Sequence, residues 1–326
     1  MQLVLDTRGL RVRKRNGCFH LKTQLHERLI SPLKVSSIAV TSQCVLSSSV
    51  IDLAIAHQIP IYFLNRYGQV TGQLVSANFG PLADLRRQQV LFARHLAATD
   101  WVIELYQHKT EGQLQVLRHL ENRKPSLAAS LQETRKAMQS LADTLSQHRQ
   151  TALSACDDQM RGIEGNIARH YWAALATCLP DSYRFDTRNR HPAHDPFNAA
   201  LNYAYGMLYT SVESALFAAG LDPYLGIFHA DQYDKPTLSF DLIEPFRPWA
   251  DRLVVDMCLH QEWPADAFDT TDGAVRLGKA GKQLLIPRLN AFLIEKADFN
   301  GRRAPRRTLI YQFAGALAAR LKTFTG

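Results

Sequence analysis

Three carboxylates and one imidazole stand in stretches that otherwise read as apolar: Glu164 in RGIEGNIARHYWAAL, His229 in LGIFHAD, and Asp241 with Glu244 in TLSFDLIEPFRP. A helical period places Ile163, Ile167 and Ala174 on a buried stripe, with Glu164, Ala168 and Tyr171 beside it. Gly165 clears bulk next to the carboxylate, and a helix-interior glycine marks close approach because it costs about 1 kcal/mol against alanine. If Ser239 caps a short helix, Asp241 and Glu244 share a face at i and i+3, and Pro245 with Pro248 breaks the helix directly after. Burying carboxylates is costly without a partner, and two side by side repel unless a cation bridges them. Arg247 is one such cation and a divalent metal is the other. Two or three carboxylates with a single imidazole suit Mg2+ or Mn2+ better than zinc, whose sites carry more histidine or thiolate.

Composition narrows the chemistry. The chain has 326 residues, 46% of them hydrophobic, and a formal charge of +8. Eleven Lys or Arg against two acids lie between Arg276 and Gly326, chiefly in NGRRAPRRTL, so the basic excess sits in the C-terminal segment. Clustering of this kind is the electrostatic footprint of a polyanion partner. The five cysteines are scattered without a CxxC pair, which argues against a disulfide framework and a zinc knuckle. No run of about 18 uncharged apolar residues is present. MQLVLDTRGLRVRKRNG has no signal-peptide core, so a cytoplasmic protein with no membrane partner is expected.

Two kinds of pattern must position these groups. Up to about residue 80 short β-rich runs alternate with turn signals such as Asn16-Gly17 and Tyr67-Gly68, which predicts hairpins around one short helix in VIDLAIAHQ. From Pro81 onward the periods are helical. The expected fold class is α+β in two domains, a small N-terminal β-sandwich-like domain over 1–80 and a larger all-α catalytic domain over 81–326. Ser126 to Gln150 is polar on most faces and predicts an exposed helical hairpin arm. Asp195 as cap, Pro196 at the first helical position and Gly220 at the end frame a central core helix, on which Asn198 and Asn202 read as core hydrogen bonders.

IEGNIARHYWAAL, DPFNAALNYAYGMLY, LGIFHADQYDKPTLSFDLIEPFRPWADRLV and the arginine-rich ending follow one another in an order that resembles the CRISPR adaptation integrase family, and IPIYFLNRYGQVTGQL is similar to that family's N-terminal β-domain. The resemblance implies a metal-dependent DNA endonuclease and integrase that inserts spacers into a CRISPR array by 3′-hydroxyl attack on a phosphodiester, with water in place of the hydroxyl giving nuclease activity. Carried over, the Mg2+ or Mn2+ ligands are Glu164, His229 and Glu244, with Asp241 assisting from behind them. The resemblance also implies a homodimer, with the N-terminal domain serving dimerisation and partner contact. A small second adaptation subunit would bridge two dimers on double-stranded and branched DNA. Phosphate contacts are expected from Arg184, Arg188, Arg190, Arg302, Arg303, Arg306 and Arg307, while His191 and His194, in the same loop as the first three, read either as further DNA contacts or as simple surface residues. RNRHPAHDP departs from the family's pattern, with fewer prolines and more histidines than expected. Two other readings compete: a non-catalytic helical DNA-binding protein whose acids only pair with arginines, and a metal-dependent hydrolase of small substrates.

Overall fold

The computed structural model describes residues 1–24, 26–65, 70–76, 83–190, 192–229 and 235–324. Contacts divide the chain into two units, Met1–Gly80 and Pro81–Gly326. In the first, β1 (Gln2–Leu5), β2 (Arg11–Arg15), β3 (Cys18–Lys22), β4 (Glu27–Ile30), β5 (Ser37–Val40) and β6 (Val45–Leu46) precede α1 (Ser48–Ala56), β7 (Ile61–Leu64) and β8 (Val70–Leu74). Asn16 and Gly17 take φ of 50° and 69°, the left-handed pair that a two-residue hairpin between β2 and β3 requires. The strands form two four-stranded sheets, β1-β5-β7-β8 and β4-β3-β2-β6. Leu3, Leu5, Val12, Phe19, Ile38 and Ile61 from both sheets, with Val50 and Leu53 of α1, share one core.

The strand pairing differs in part from the hairpins expected. β2–β3 and β7–β8 are antiparallel, but β1, β5 and β7 run parallel. Their near-continuous apolar runs are what parallel strands buried on both faces show, and α1 supplies the crossover from β5 to β7. The Tyr67-Gly68 turn lies outside the described residues.

The second unit is built from α2 (Ala83–Ala93), α3 (Leu96–Arg123), α4 (Ala128–Leu145), α5 (Leu153–Cys178), α6 (Pro196–Ala219), α7 (Thr237–Ile243), α8 (Arg247–Leu259), α9 (Lys279–Ile294) and α10 (Arg306–Lys322). Two hairpins interrupt it, β9 (Phe268–Thr271) with β10 (Ala274–Leu277), and β11 (Lys296–Phe299) with β12 (Arg302–Pro305). The reading of this unit as all-α had not placed them, although Asp272-Gly273 and Asn300-Gly301, all at positive φ, are their turn signals.

α6 is the central helix. The Asp195 side chain accepts the Asn198 amide at 2.7 Å, Pro196 opens the helix, and Gly220 closes it at φ 81°. α8 and α10 pack along it. α4 is no exposed arm: it lies against α3 and α5, burying Leu131, Met138, Ala142 and Leu145. These four fall on one stripe of a helix whose other positions are polar, and that polar majority hid the stripe. Among the described residues no helix is long and apolar enough to cross a membrane.

Candidate active site

The buried face of α3 carries Lys109 to the point where α5 and the α7–α8 junction meet it. The Lys109 ammonium lies 2.6 Å from Glu164 Oε1 and 2.6 Å from Glu244 Oε2. The two carboxylate oxygens, far apart in sequence, are therefore no more than twice that distance from each other. Arg247 Nη2 takes the other oxygen of Glu244 at 3.0 Å. Gly112, one turn beyond Lys109, makes this approach possible, because a Cβ there would stand 2.8 Å from Pro248 Cβ and Cγ at the start of α8. Burial pushes the Glu244 carboxyl up, but Arg247 and Lys109 outweigh it and hold the group down to about 2. Burial likewise lowers Lys109, and Glu244 and Glu164 more than restore it.

The helix that presents Glu244 starts earlier than expected. α7 begins at Thr237 after Pro236, Ser239 is buried inside it rather than capping it, and a 3-10 turn over Glu244–Phe246 leads straight into α8. Pro245 and Pro248 sit in the first positions of those two segments, where a missing amide costs nothing, so the helical course tightens instead of breaking. Asp241 and Glu244 then serve different neighbours.

Asp241 faces the chain before α7. Its Oδ2 accepts the amides of Ile227 at 2.8 Å and Phe228 at 3.0 Å, and its Oδ1 accepts the His229 amide at 3.0 Å and Nδ1 at 2.6 Å. A carboxylate oxygen accepts in this contact and Nδ1 donates, which leaves Nε2 outside it. Gly226 starts this turn, where a Cβ would come 2.3 Å from His229 O and 2.7 Å from Thr237 Oγ1. Arg161, one turn before Glu164, donates to Phe228 O at 2.8 Å and lies 4.2 Å over the Phe228 ring. Phe228 meets Tyr106 of α3 edge-on at 5.5 Å. His229 is thereby tied to all three elements that carry Lys109, Glu164 and Glu244, and its charge is among those acting on Glu244. Residues 230–234 of the same segment lie outside the described residues.

Behind Arg247 stands a buried polar group. Asp251 accepts from Tyr171 Oη at 3.0 Å and Tyr205 Oη at 2.5 Å. Burial pushes Asp251 up to about 6 against the pull of both hydroxyls. The guanidinium groups of Arg247 and Arg188 lie 5.0 and 5.4 Å from the Tyr205 ring centre.

The expected DNA-contacting arginines divide into two groups. Arg188 gives its guanidinium to Asn198 Oδ1 at 2.8 Å and Asn202 Oδ1 at 2.7 Å, Arg306 gives its to Phe292 O at 2.9 Å and Glu295 at 3.2 Å, and Arg307 reaches Asn290 at 3.1 Å. These three fasten the fold. Arg184, Arg190, Arg302 and Arg303 are exposed. Arg184 pairs with Asp181 and Arg303 with Asp298, both at the surface. Arg190 borders the site: the Arg247 charge above all lowers its basicity, while Glu244 and Glu164 act the other way. Asn198 and Asn202 bind the loop before α6 through Arg188, Thr187 O and Arg190 O. His194 reaches Gly273 O at 3.3 Å, and His191 lies outside the described residues.

The close approach expected at Gly165 is not found, since a Cβ there meets nothing within 4 Å among the described residues. The close contact in this region is at Gly112, and neither it nor Lys109 was singled out from sequence. The signal was a lysine followed three residues later by glycine on an otherwise buried helical face, LYQHKTEG.

Among the described residues no three His, Cys, Asp or Glu side chains are gathered as a ready ligand cluster. Two of the expected ligands instead surround Lys109, and the third is turned toward Asp241. The donor set still fits a hard divalent cation: two carboxylates share one cation position, and the Nδ1 contact with Asp241 leaves the imidazole Nε2 uncommitted. Glu244 Oε2 is buried and has no aligned hydrogen bond, although the Lys109 ammonium touches it. A spherical ion needs no such alignment.

Residues 3–291 match the family described as CRISPR associated protein Cas1. A relative, "CRISPR-associated endonuclease Cas1 1" of Archaeoglobus fulgidus, is 27% identical over 99% of this chain and 96% of its own. A CAS1 protein from Thermotoga maritima shares the fold at a TM-score of 0.79 and 22% identity, covering 99% of this chain and 97% of that one. A structure described as "Casposase bound to integration product" superposes at 0.82 and 21% identity, covering 99% and 90%.

Proposed function

The chain belongs to the CRISPR associated protein Cas1 family, and on that premise we propose that it is the metal-dependent DNA endonuclease and integrase of spacer acquisition, acting in the cytoplasm. One observation carries the reading: oxygens of Glu164 and Glu244, from separate elements, converge on a single cation position, the Lys109 ammonium. Glu164, Glu244 and His229 would hold a Mg2+ or Mn2+ ion, which would supply Lewis acidity at the scissile phosphate and lower the pKa of the attacking 3′-hydroxyl. Asp241 fixes the imidazole tautomer and orientation through Nδ1, which leaves Nε2 as the donor. Arg247 keeps Glu244 ionised and is itself backed by Tyr205 and Asp251. Arg190, exposed at the edge of the site, meets a phosphate of the incoming strand, and Arg184, Arg302 and Arg303 hold duplex and branched DNA by its backbone. Water in place of the hydroxyl turns the same arrangement to hydrolysis.

The first unit serves dimerisation and contact with a small second adaptation subunit that bridges two dimers. That assembly is what the resemblance to the family implies, and the casposase captured on an integration product supports DNA as the substrate. The ion pairs of Lys109 and Arg247 are what a non-catalytic DNA-binding protein would also display. One experiment separates the two readings: joining of a short duplex with free 3′-hydroxyls into a supercoiled plasmid bearing a CRISPR repeat, with Mg2+ or Mn2+. Wild-type protein joins and Glu164→Ala does not while still binding duplex. Equal activity of the two proteins, or none from wild type, refutes the proposal.

A further inference from the structure

Two acids and two cations make up the ion pairs at the centre of the site. Glu164 and Glu244 contribute two negative charges, and Lys109 and Arg247 contribute two positive ones. The two cations are not equivalent. Arg247 touches one oxygen of Glu244, whereas the Lys109 ammonium stands between both acids, 2.6 Å from each. A divalent ion coordinated by the same two oxygens would require about 2.0–2.6 Å to each of them, so it and the ammonium cannot occupy that position together.

Three features show that the position is built. Gly112 lets α3 approach Pro248 closely enough for Lys109 to reach across. The Tyr106 ring lies 5.6 Å from Nζ and closes one side. The Lys109 ammonium donates a hydrogen bond to Glu164 at 2.6 Å, whereas its equally short approach to Glu244 is poorly aligned, so on that side it is held by charge.

We infer that Lys109 is the resident counter-ion of this site and competes with the divalent metal for Glu164 and Glu244, so that metal loading expels its ammonium from between them. This rests on the metal-site reading above. Expelled, Lys109 is a flexible cation on the rim of a site that receives a polyanion, where it becomes a positioning residue for phosphate. Release of Lys109 to the DNA and entry of the metal then favour each other by linkage.

The test is Mn2+ affinity without DNA, measured by titration calorimetry on full-length wild type, Lys109→Met, Arg247→Met, and Glu164→Gln with Glu244→Gln. If the ammonium leaves the position open about one-tenth of the time, Lys109→Met binds Mn2+ about tenfold tighter than wild type. Arg247→Met removes the same charge from beside Glu244 without vacating the shared position, and should gain clearly less. Equal gains in the two variants, or no gain in Lys109→Met, overturn the inference. The glutamine pair should lose binding, and if it binds Mn2+ like wild type both the metal-site reading and this inference fall. A second readout needs no substitution: in wild-type protein saturating Mn2+ should raise the acetylation of Lys109 by acetic anhydride, followed by peptide mass spectrometry. Labelling that stays the same or falls also overturns it.

Discussion

Glu213 sits in the middle of α6, 1% exposed, and its Oε2 has no hydrogen-bond partner. Burial alone pushes its carboxyl up to about 8 from an ordinary value of 4.5. Between those two values the folded protein holds a proton at this position that the unfolded chain has released. Stability from this group is therefore complete below pH 4.5 and declines as pH rises toward 8. From pH 4.5 to pH 7, at about 1.4 kcal/mol per pH unit, the loss reaches about 3 kcal/mol. Glu213→Gln keeps the shape and stays neutral at every pH, so it should recover that amount at pH 7 and little or nothing near pH 4.5. For a domain of this size such a gain raises the melting temperature by roughly 6–12 °C. Thermal unfolding of both proteins, followed by circular dichroism at pH 5, 6, 7 and 8, measures the difference. A melting-temperature gap that does not widen with pH, or a variant less stable than wild type at pH 7, refutes the reasoning.

Gly112→Ala and Gly165→Ala should move in opposite directions. The first forces a methyl group 2.8 Å from Pro248 and costs about 1–3 kcal/mol, while the second meets nothing within 4 Å and gains about 1 kcal/mol from helix propensity, both read by chemical denaturation. Asp241→Asn removes the acceptor that fixes His229 and should lower DNA joining about 10- to 100-fold, with Mn2+ affinity falling alongside. A double Arg302→Glu, Arg303→Glu variant should bind duplex more weakly whatever its sequence, with a shallower dependence of log K on log salt in fluorescence anisotropy, by about two phosphate contacts. The same reversal at Arg306 should instead lower thermal stability, because that guanidinium joins Phe292 O and Glu295.

Sequence alone carried those features that depend on neighbours within a few residues. Asp195, Pro196 and Gly220 bound α6 because capping is local. Asn16-Gly17 forms its hairpin because the turn is decided by two residues' φ angles. The ordered motifs around Glu164, His229 and Glu244 were enough to identify the family. Features that needed the opposing surface were lost: the buried stripe of α4 under its polar majority, the parallel pairing of β1 with β5 and β7, and the distinction between Arg188, which fastens a loop, and Arg190, which faces outward. Lys109 is the plainest example. Gly112, one turn on, marks a close approach but not which groups approach, because the two carboxylates that Lys109 meets come from α5 and from the turn before α8. Only the packing of α3 against both, through the gap left by Gly112, decides which cation the buried acids hold, since charge interactions in a desolvated core depend on distances that local sequence does not encode.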